Sequence, residues 1–405
     1  MTETESLFKN KTFLLVWFSG LFVMLGFSMF FLSVSWFVVD ELNNPGLLGV
    51  VLMSVSIPRV AMMIYGGILA DRIRKSQIMF VTNLLQALLM LVLVLLVMYD
   101  GLTITSLLII SFVFGFLDAF FFPAVSSMMP VIVTGVQLQR ANSLFQGSTE
   151  MMFIIGPLVA GVLLTVGGFN LTFGTAGVLI LLSGILVFPP FLTDPKPEKR
   201  KEVTTAMYDL KEGIRYVRQS AVHRSGTLAI VIVNLFMIGP LLISFPILVE
   251  ALGGTPLELS LLEAGLSVGT FLASILIVVW NVKKGRGMRV FVSLMLSLLL
   301  LIVFSLLESL VFLVIAVAVA GFMAMFVYLP TVTLVQERTE KQKMGRVMSI
   351  ISLASSGFEP LAFAIIAILV STGLPIQTIL FITGVAGLIL AIVLTIGSRE
   401  FRAID

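Results

Sequence analysis

The sequence predicts an all-α polytopic membrane protein: twelve transmembrane helices in two six-helix bundles, with both termini in the cytoplasm. Three observations lead to this fold class. Hydrophobic residues make up 59% of the 405-residue chain and charged residues only 12%, apolar runs of spanning length recur along it, and its basic residues fall in alternate loops. Soluble domains usually carry about 25% charged residues, so lipid must cover much of this surface.

A helix must supply roughly 20 apolar residues to cross the ~30 Å hydrocarbon core of a bilayer. Apolar runs between polar breaks meet this requirement, and the alternating pattern of a β-barrel is missing. The predicted spans are residues 12–38, 46–70, 77–98, 103–125, 141–165, 169–192, 225–250, 258–281, 288–307, 310–335, 346–371 and 375–397.

Basic residues predict the orientation of these spans. Cytoplasmic loops of membrane proteins carry an excess of Lys and Arg. Loops on one side of the predicted membrane hold 24 of the 25 Lys and Arg, the loops on the other side hold none, and Arg59 lies within the second span. Both termini are therefore expected in the cytoplasm.

The predicted domains are an N-terminal six-helix bundle (residues 1–192), a cytoplasmic linker (193–224) and a C-terminal six-helix bundle (225–405). Within the linker, Met207, Leu210, Ile214 and Val217 follow helical spacing. This periodicity favours an amphipathic helix lying along the membrane face. A disordered basic linker is the alternative.

The two bundles share short sequence matches. Residues 39–42 at the end of span one match 249–252 at the end of span seven, 210 residues later, and Gly115-Phe116-Leu117 matches Gly321-Phe322-Met323, 206 residues later. Two separate matches whose members lie nearly the same number of residues apart indicate an internal duplication. Transporters built from two six-span halves hold substrate near the membrane midplane between the halves.

The loop after span two carries a recognisable motif. Residues 67–75 resemble the G-x-L-A-D-R-x-G-R-[KR] signature of the major facilitator superfamily, with Ile73 where a Gly is usual. The matching positions include Gly67, Asp71, Arg72, Arg74 and Lys75. Asp71 is expected to cap a helix or pair with a cation, as a gate whose contacts break during transport. An ordinary basic turn is the alternative.

Span five carries a second motif. Residues 147–161 resemble the antiporter motif G-x8-G-P-x-x-G-G, with Ala160 replacing the first Gly of the final pair. The matching positions are Gly147, Gly156, Pro157 and Gly161. The resemblance implies export driven by proton exchange. Ordinary close packing of small residues and a proline bend explain the same pattern.

Three stretches, residues 120–144, 209–217 and 345–349, give a finer resemblance to the branch that contains macrolide efflux proteins, enterobactin exporters and lysophospholipid transporters. The resemblance extends over essentially the whole chain. It implies a multi-pass exporter of amphipathic molecules in the bacterial plasma membrane.

Four ionisable residues lie deep within predicted spans, at estimated depths of ~13–20 Å from the inner end. They are Arg59, Asp118, Glu150 and Glu359. Charges in a bilayer cost several kcal/mol (about 2.5–3.5 on insertion scales) and commonly have a function. We expect Arg59 to pair with Asp118 or Glu150, leaving the other acid to carry protons, with Glu359 serving the second bundle. A fixed salt-bridge cluster is the alternative.

Spans one, four, seven and ten surround the cavity in the superfamily that the motifs resemble. By this analogy, apolar and polar side chains on these spans are candidates for the substrate pocket, although each also fits a packing or lipid-facing position. They are Phe27, Phe30, Phe31, Trp36, Phe121, Asn234, Met237, Met325 and Tyr328.

Together these features predict a proton-coupled secondary active exporter of amphipathic small molecules, such as macrolide-like drugs, working by alternating access. Its expected partners are the substrate, protons and membrane lipids, with the proton gradient as energy source and no cofactor, metal or nucleic acid; we expect a monomer. A lipid, lysophospholipid or siderophore transporter of the same superfamily is the alternative. The sequence has no Cys, and His223 is its one His. An intramembrane enzyme is therefore disfavoured, because the residues for a nucleophile with its base or for a metal site are missing from the spans.

Overall fold

The computed structural model describes residues 7–70, 72–133, 135–194, 206–280 and 285–404. Helices dominate these ranges and no β-strand occurs in them, which confirms the predicted all-α class. The helices before residue 195 are α1 (Lys11–Asp40), α2 (Pro45–Ala70), α3 (Lys75–Met98), α4 (Ile104–Ile132) and α5 (Gly135–Leu186), with short 3₁₀ turns at Leu7–Lys9 and Pro189–Phe191.

Polar residues fix where these helices begin. Asn10 caps α1 by accepting a hydrogen bond from the backbone N–H of Phe13 at 3.0 Å, and its amide donates to the Ile132 carbonyl at 2.7 Å. Thr103 and Ser106 form a reciprocal capping box at the start of α4. Such caps satisfy N–H groups that have no partner within the helix.

Helix α5 contains the fifth and sixth spans. Gly168 has non-helical backbone angles (φ 66°, ψ −165°), a conformation that glycine adopts without a Cβ clash. A straight helix of this length would extend ~75 Å, more than twice the hydrocarbon core. Within the described residues, eleven helical segments are long and apolar enough to span a membrane, and dividing α5 at Gly168 gives the twelve predicted spans.

Contacts with α1 show that α5 reverses direction at Gly168. Along the first arm, Ser148 accepts a hydrogen bond from the Trp17 indole of α1, and Gly156 lies against Ser28. Both contacts advance along the two helices in the same direction, so this arm runs parallel to α1. The second arm runs antiparallel, because Ser183 bonds Ser19 whereas Ala176 lies beside Gly26.

The second part of the chain begins with helix α6 (Ala206–Gln219), the amphipathic helix predicted in the linker. A span then runs through α7 (Ala221–Val233), a π-helical turn (Asn234–Ile238) and α8 (Gly239–Ala251). The remaining helices are α9 (Pro256–Trp280), α10 (Arg286–Ser305), α11 (Leu310–Glu337), α12 (Met344–Ser356), α13 (Glu359–Ser371), α14 (Ile376–Gly397) and α15 (Arg399–Arg402), with a 3₁₀ turn at Lys341–Lys343.

The chain divides into two compact units. The first comprises Met1–Asn43, Val51–Glu202 and Thr255–Ser260, and the second comprises Asn44–Val50, Val203–Gly254 and Leu261–Asp405. Helix α6 therefore belongs to the second unit rather than standing apart. Its Val217 joins a buried apolar cluster with residues of α12, including Val347, Ile350 and Ile351.

The duplicated glycines occupy equivalent helix crossings. A Cβ added to Gly115 of α4 would collide with the Val55 carbonyl of α2, and one added to Gly321 of α11 would meet the Leu266 carbonyl of α9. At both crossings the helices approach too closely for any side chain. This shared requirement explains why the glycine recurs in the two sequence repeats.

Candidate functional site

Arg59 and Asp118 form an ion pair within the first unit. Arg59 lies in α2, one residue after Pro58, and Asp118 lies midway along α4. Arg59 Nε is 2.9 Å from Asp118 Oδ2, although its N–H is not aligned well enough for a hydrogen bond. The Asp118 side chain is 2% exposed and that of Arg59 is 38% exposed. A buried carboxylate is thus held by a cation that remains accessible on one side.

A cluster of aromatic rings lies against the Arg59 side of this pair. The Arg59 guanidinium carbon lies 5.0 Å from the ring centre of Phe27, within the range of a cation–π contact. Phe27 stacks on Phe31 with ring centres 6.0 Å apart and also contacts Phe114. The site therefore combines one cation, one anion and flat apolar surfaces, which suits the recognition of an amphipathic molecule.

Glu150 stays outside the ion pair. This half-buried residue of α5 accepts a hydrogen bond from Gln146 at 3.0 Å, and it has no cationic partner among the described residues. Of the two expected pairings, the structure shows Arg59 with Asp118. Whether Glu150 carries protons stays a prediction.

Glu359 begins α13 just after the helix is interrupted at Gly357 and Phe358, as the following Pro360 suggested. A further acid, Glu263, lies in span α9 and was not among the predicted site residues. Its carboxylate makes no hydrogen bond or ion pair with any residue in the described ranges. In the sequence it lies about one helical turn deeper than the acids at the ends of the spans, and this position alone leaves its role open.

The predicted gating motif is only partly described. Asp71 lies outside the described residues, and Gly67 belongs to the last turns of α2. Arg72 is exposed, Arg74 is half-buried at the position before α3, and Lys75 is buried as its first residue. Gating by this motif stays a prediction.

Asp194 holds the start of α3 next to this motif. Its Oδ2 accepts hydrogen bonds from both the backbone N–H of Ser76 at 2.9 Å and the Ser76 hydroxyl at 2.8 Å. The sequence interpretation counted Asp194 only as part of the linker. No local pattern could reveal the bond, because the two residues are separated by 118 positions.

The antiporter motif lies along the first arm of α5. Gly156, Pro157 and Gly161 are buried, and a Cβ at Gly156 would come within 2.6 Å of Ser28. A Cβ at Gly147 would meet no atom within 4 Å. Close packing therefore accounts for Gly156, whereas packing gives no reason for Gly147.

The candidate pocket residues divide by burial. Phe30, Phe121 and Met237 are fully buried, and Trp36 is nearly so. Phe30 stacks on Phe114 at 4.1 Å, and Phe121 belongs to the apolar core of the first unit. These four side chains pack in the interior of the structure, and substrate contact by them stays a prediction.

The remaining candidates retain some exposure. Phe31, Met325 and Tyr328 are partly exposed, as is Asn234, whose amide donates to the Ile230 carbonyl at 2.9 Å. Phe27 is largely buried but forms one face of the Arg59 contact. Substrate contact by these five residues stays a prediction.

Known proteins that resemble this chain are transporters. Macrolide efflux protein A of Enterococcus faecalis is 24% identical over 294 residues, which cover 70% of this chain and 88% of that protein. The multidrug efflux pump Tap of Mycolicibacterium fortuitum is 26% identical over 240 residues, covering 57% of this chain and 56% of the pump.

Solved structures support the same fold. The POT family transporter PepTSo superposes with a TM-score of 0.74 at 14% identity, covering 98% of this chain and 99% of that one. A bacterial homologue of the lysosomal transporter Spinster, in an inward-facing conformation, gives 0.67 at 13% identity and covers 99% and 97% of the two chains.

The Major Facilitator Superfamily model matches residues 16–239 and 226–402, which together cover most of the sequence. The apolar helices and the bacterial efflux relatives indicate a multi-pass bacterial membrane protein. The chain belongs to the Major Facilitator Superfamily, and it is a transporter whose relatives include macrolide and multidrug efflux proteins.

Proposed function

We propose that this transporter is a proton-coupled exporter of amphipathic small molecules that works by alternating access. The observation that carries the proposal is the Arg59–Asp118 pair, in which a buried carboxylate of one span meets a partly exposed cation of another. A proton on Asp118 would cancel the charge that holds Arg59. Protonation and release of Arg59 are thus chemically linked.

This link can couple proton entry to substrate movement. With Asp118 ionised, Arg59 is held against Phe27 and the carboxylate. With Asp118 neutral, the guanidinium is free to move, and the Phe27–Phe31 surface changes its charge environment. An amphipathic cation that competes with Arg59 for the carboxylate would then exchange with a proton.

The relatives support efflux as the direction of transport, because two of them are named as macrolide and multidrug efflux proteins. Export of lipid-like or siderophore-like anions is the second candidate. An anion-binding site would call for an unpaired Arg59 facing the cavity. The observed pairing with Asp118 favours the first candidate.

Purified protein in liposomes with an acidic lumen tests the proposal. The probes are a labelled macrolide, a cationic dye and a labelled lysophospholipid. We expect gradient-driven uptake of the macrolide or dye and loss of that uptake in Asp118→Asn. Uptake of the lysophospholipid alone would favour the second candidate.

Matched variants locate the coupling acid. Glu150→Gln, Glu263→Gln and Glu359→Gln each remove one intramembrane acid, and Glu308→Gln removes an exposed acid between α10 and α11 as a control. Wild-type coupling in all three intramembrane variants and in Asp118→Asn would exclude these acids as proton carriers and reject proton coupling through them.

A further inference from the structure

The second unit contains a small cavity between α6 and the 3₁₀ turn that precedes α12. Its volume is about 250 Å³, below the ~300–1,000 Å³ of sites that hold drug-sized ligands. Polar and charged side chains form its lining: Lys211, Glu212, Arg215, Tyr216, Gln219 and Lys343. A cavity of this size and polarity fits a charged headgroup rather than a drug.

The lining carries excess positive charge. Lys211 and Arg215 are exposed one helical turn apart on the same face of α6, and neither has an ion-pair partner within the described part of the chain. The one lining acid, Glu212, is already paired with Arg346 of α12. Lys343 is 3.4 Å from Glu340 and 4.9 Å from the Tyr216 ring centre.

Packing holds the helix that carries two of these cations in place. A Cβ added to Gly213 would come within 2.9 Å of the Arg346 carbonyl, so α6 lies directly on α12. The Tyr216 ring also meets the buried His223 edge-on at 5.3 Å. Because these contacts hold the backbone of α6 against α12, the cations of the two walls are kept close together, and an incoming anion would need to order only their side chains.

We propose that this cavity binds a phosphate group, supplied either by an anionic phospholipid headgroup or by a phosphate compound in solution. Arg215 can offer a fork of N–H donors, while Lys211 and Lys343 contribute point charges. Helix α6 is followed directly by the span that begins at Ala221. The cavity therefore lies at the boundary between membrane and water, where both sources are present.

Two arms of one experiment distinguish the sources. In detergent, thermal unfolding is followed while inorganic phosphate is titrated. In parallel, native mass spectrometry counts retained dioleoyl-phosphatidylglycerol, with dioleoyl-phosphatidylcholine as the zwitterionic comparison. Lys211→Gln/Arg215→Gln should weaken binding roughly 25-fold in the arm that reports the true source, since each cation near a membrane surface contributes roughly fivefold.

The matched control is Arg218→Gln/Arg224→Gln, which removes two exposed cations from α6 and α7 that do not line the cavity. It should bind like the wild type. Lys343→Gln, which alters the opposite wall, should weaken binding roughly fivefold and guards against a folding defect of the α6 variant. Equal binding by the wild type and both cavity variants in both arms, or equal loss in the control, would overturn the proposal.

Discussion

The same helix crossing occurs in both units, but among the described residues an ion pair lies beside it only in the first unit. One turn beyond the contact between Gly115 and Val55, Asp118 and Arg59 meet at 2.9 Å. The corresponding positions beyond Gly321 and Leu266 are Ala324 and Thr270, and the Thr270 hydroxyl merely donates to the Ser267 carbonyl at 2.9 Å.

The difference separates what the duplicated fold requires from what one half has added. Close approach at the glycine is needed in both units, because it lets the two helices cross. Charge at the next turn is not needed for the crossing, since an alanine and a threonine serve in the second unit. An ion pair within a span is costly, and packing at this crossing does not require it. The pair is therefore a candidate functional site.

The largest expected effect tests the glycine crossing that the two units share. Gly115→Ala would place a methyl group against a backbone carbonyl that cannot move aside, so we expect a loss of about 3 kcal/mol, at the upper end for overpacking. Gly321→Ala should cost less, because a Cβ added there would lie 2.5 Å from the Leu266 carbonyl, a longer separation than at Gly115. Unfolding midpoints in detergent provide the measurement.

Gly147→Ala is the control for this pair, since nothing lies within 4 Å of the added methyl group. It should leave the midpoint unchanged or slightly raised, because alanine favours the helix. If Gly115→Ala unfolded at the wild-type midpoint, the conclusion that α2 and α4 approach too closely for a side chain at this position would be wrong.

The second prediction concerns the ion pair. Arg59→Gln strands a buried carboxylate and should cost about 2 kcal/mol, less than the ~3–5 kcal/mol of fully buried pairs because Arg59 is partly exposed. Asp118→Asn should cost less, since the remaining cation can reach water. The unfolding midpoints of both variants, and of the double variant, give the comparison.

In the second unit, Thr270→Ala removes the equivalent side chain and should shift the midpoint only slightly. The double variant Arg59→Gln/Asp118→Asn should be more stable than Arg59→Gln alone. An Asp118→Asn variant less stable than Arg59→Gln would contradict the assignment of Asp118 as the desolvated partner.

The smallest effects compare how the two units hold the start of helices α3 and α10. Asp194 caps α3 through Ser76, whereas α10 begins with Arg286, which pairs with Glu337 through two bonds of 2.9 Å. Asp194→Ala should cost about 1 kcal/mol, as expected for a lost cap. Glu337→Ala should cost at most ~0.5 kcal/mol, because the pair is solvent-exposed.

Midpoints of these two variants, measured side by side with Ser76→Ala, check the order. Ser76→Ala removes only the hydroxyl bond and should fall between them. A larger loss for Glu337→Ala than for Asp194→Ala would show that the exposed pair, rather than the buried cap, carries the greater share of stability.

Sequence patterns predicted much of the fold because lipid imposes a simple rule. A spanning helix must be long and apolar, so the span limits can be seen in the order of residues. The amphipathic α6 was predicted from Met207, Leu210, Ile214 and Val217 for a similar reason. The reversal within α5 was predicted only as a break between spans, and Gly168 is its physical cause.

The site was less predictable. Depth estimates correctly grouped Arg59 with Asp118, because helical rise fixes height in the membrane. They did not choose between Asp118 and Glu150, since height says nothing about which way a side chain points around its helix. For the same reason the sequence did not reveal that Phe30, Phe121 and Met237 are buried.

By itself, the sequence determined the membrane environment, the number of spans, the duplication and the family resemblance. These depend on composition and on spacing along the chain. Tertiary structure decided that Arg59 pairs with Asp118, that Asp194 caps α3 and that α6 and Lys343 enclose a basic cavity. Each of these contacts joins residues far apart in sequence, and their meeting depends on how the helices rotate and cross.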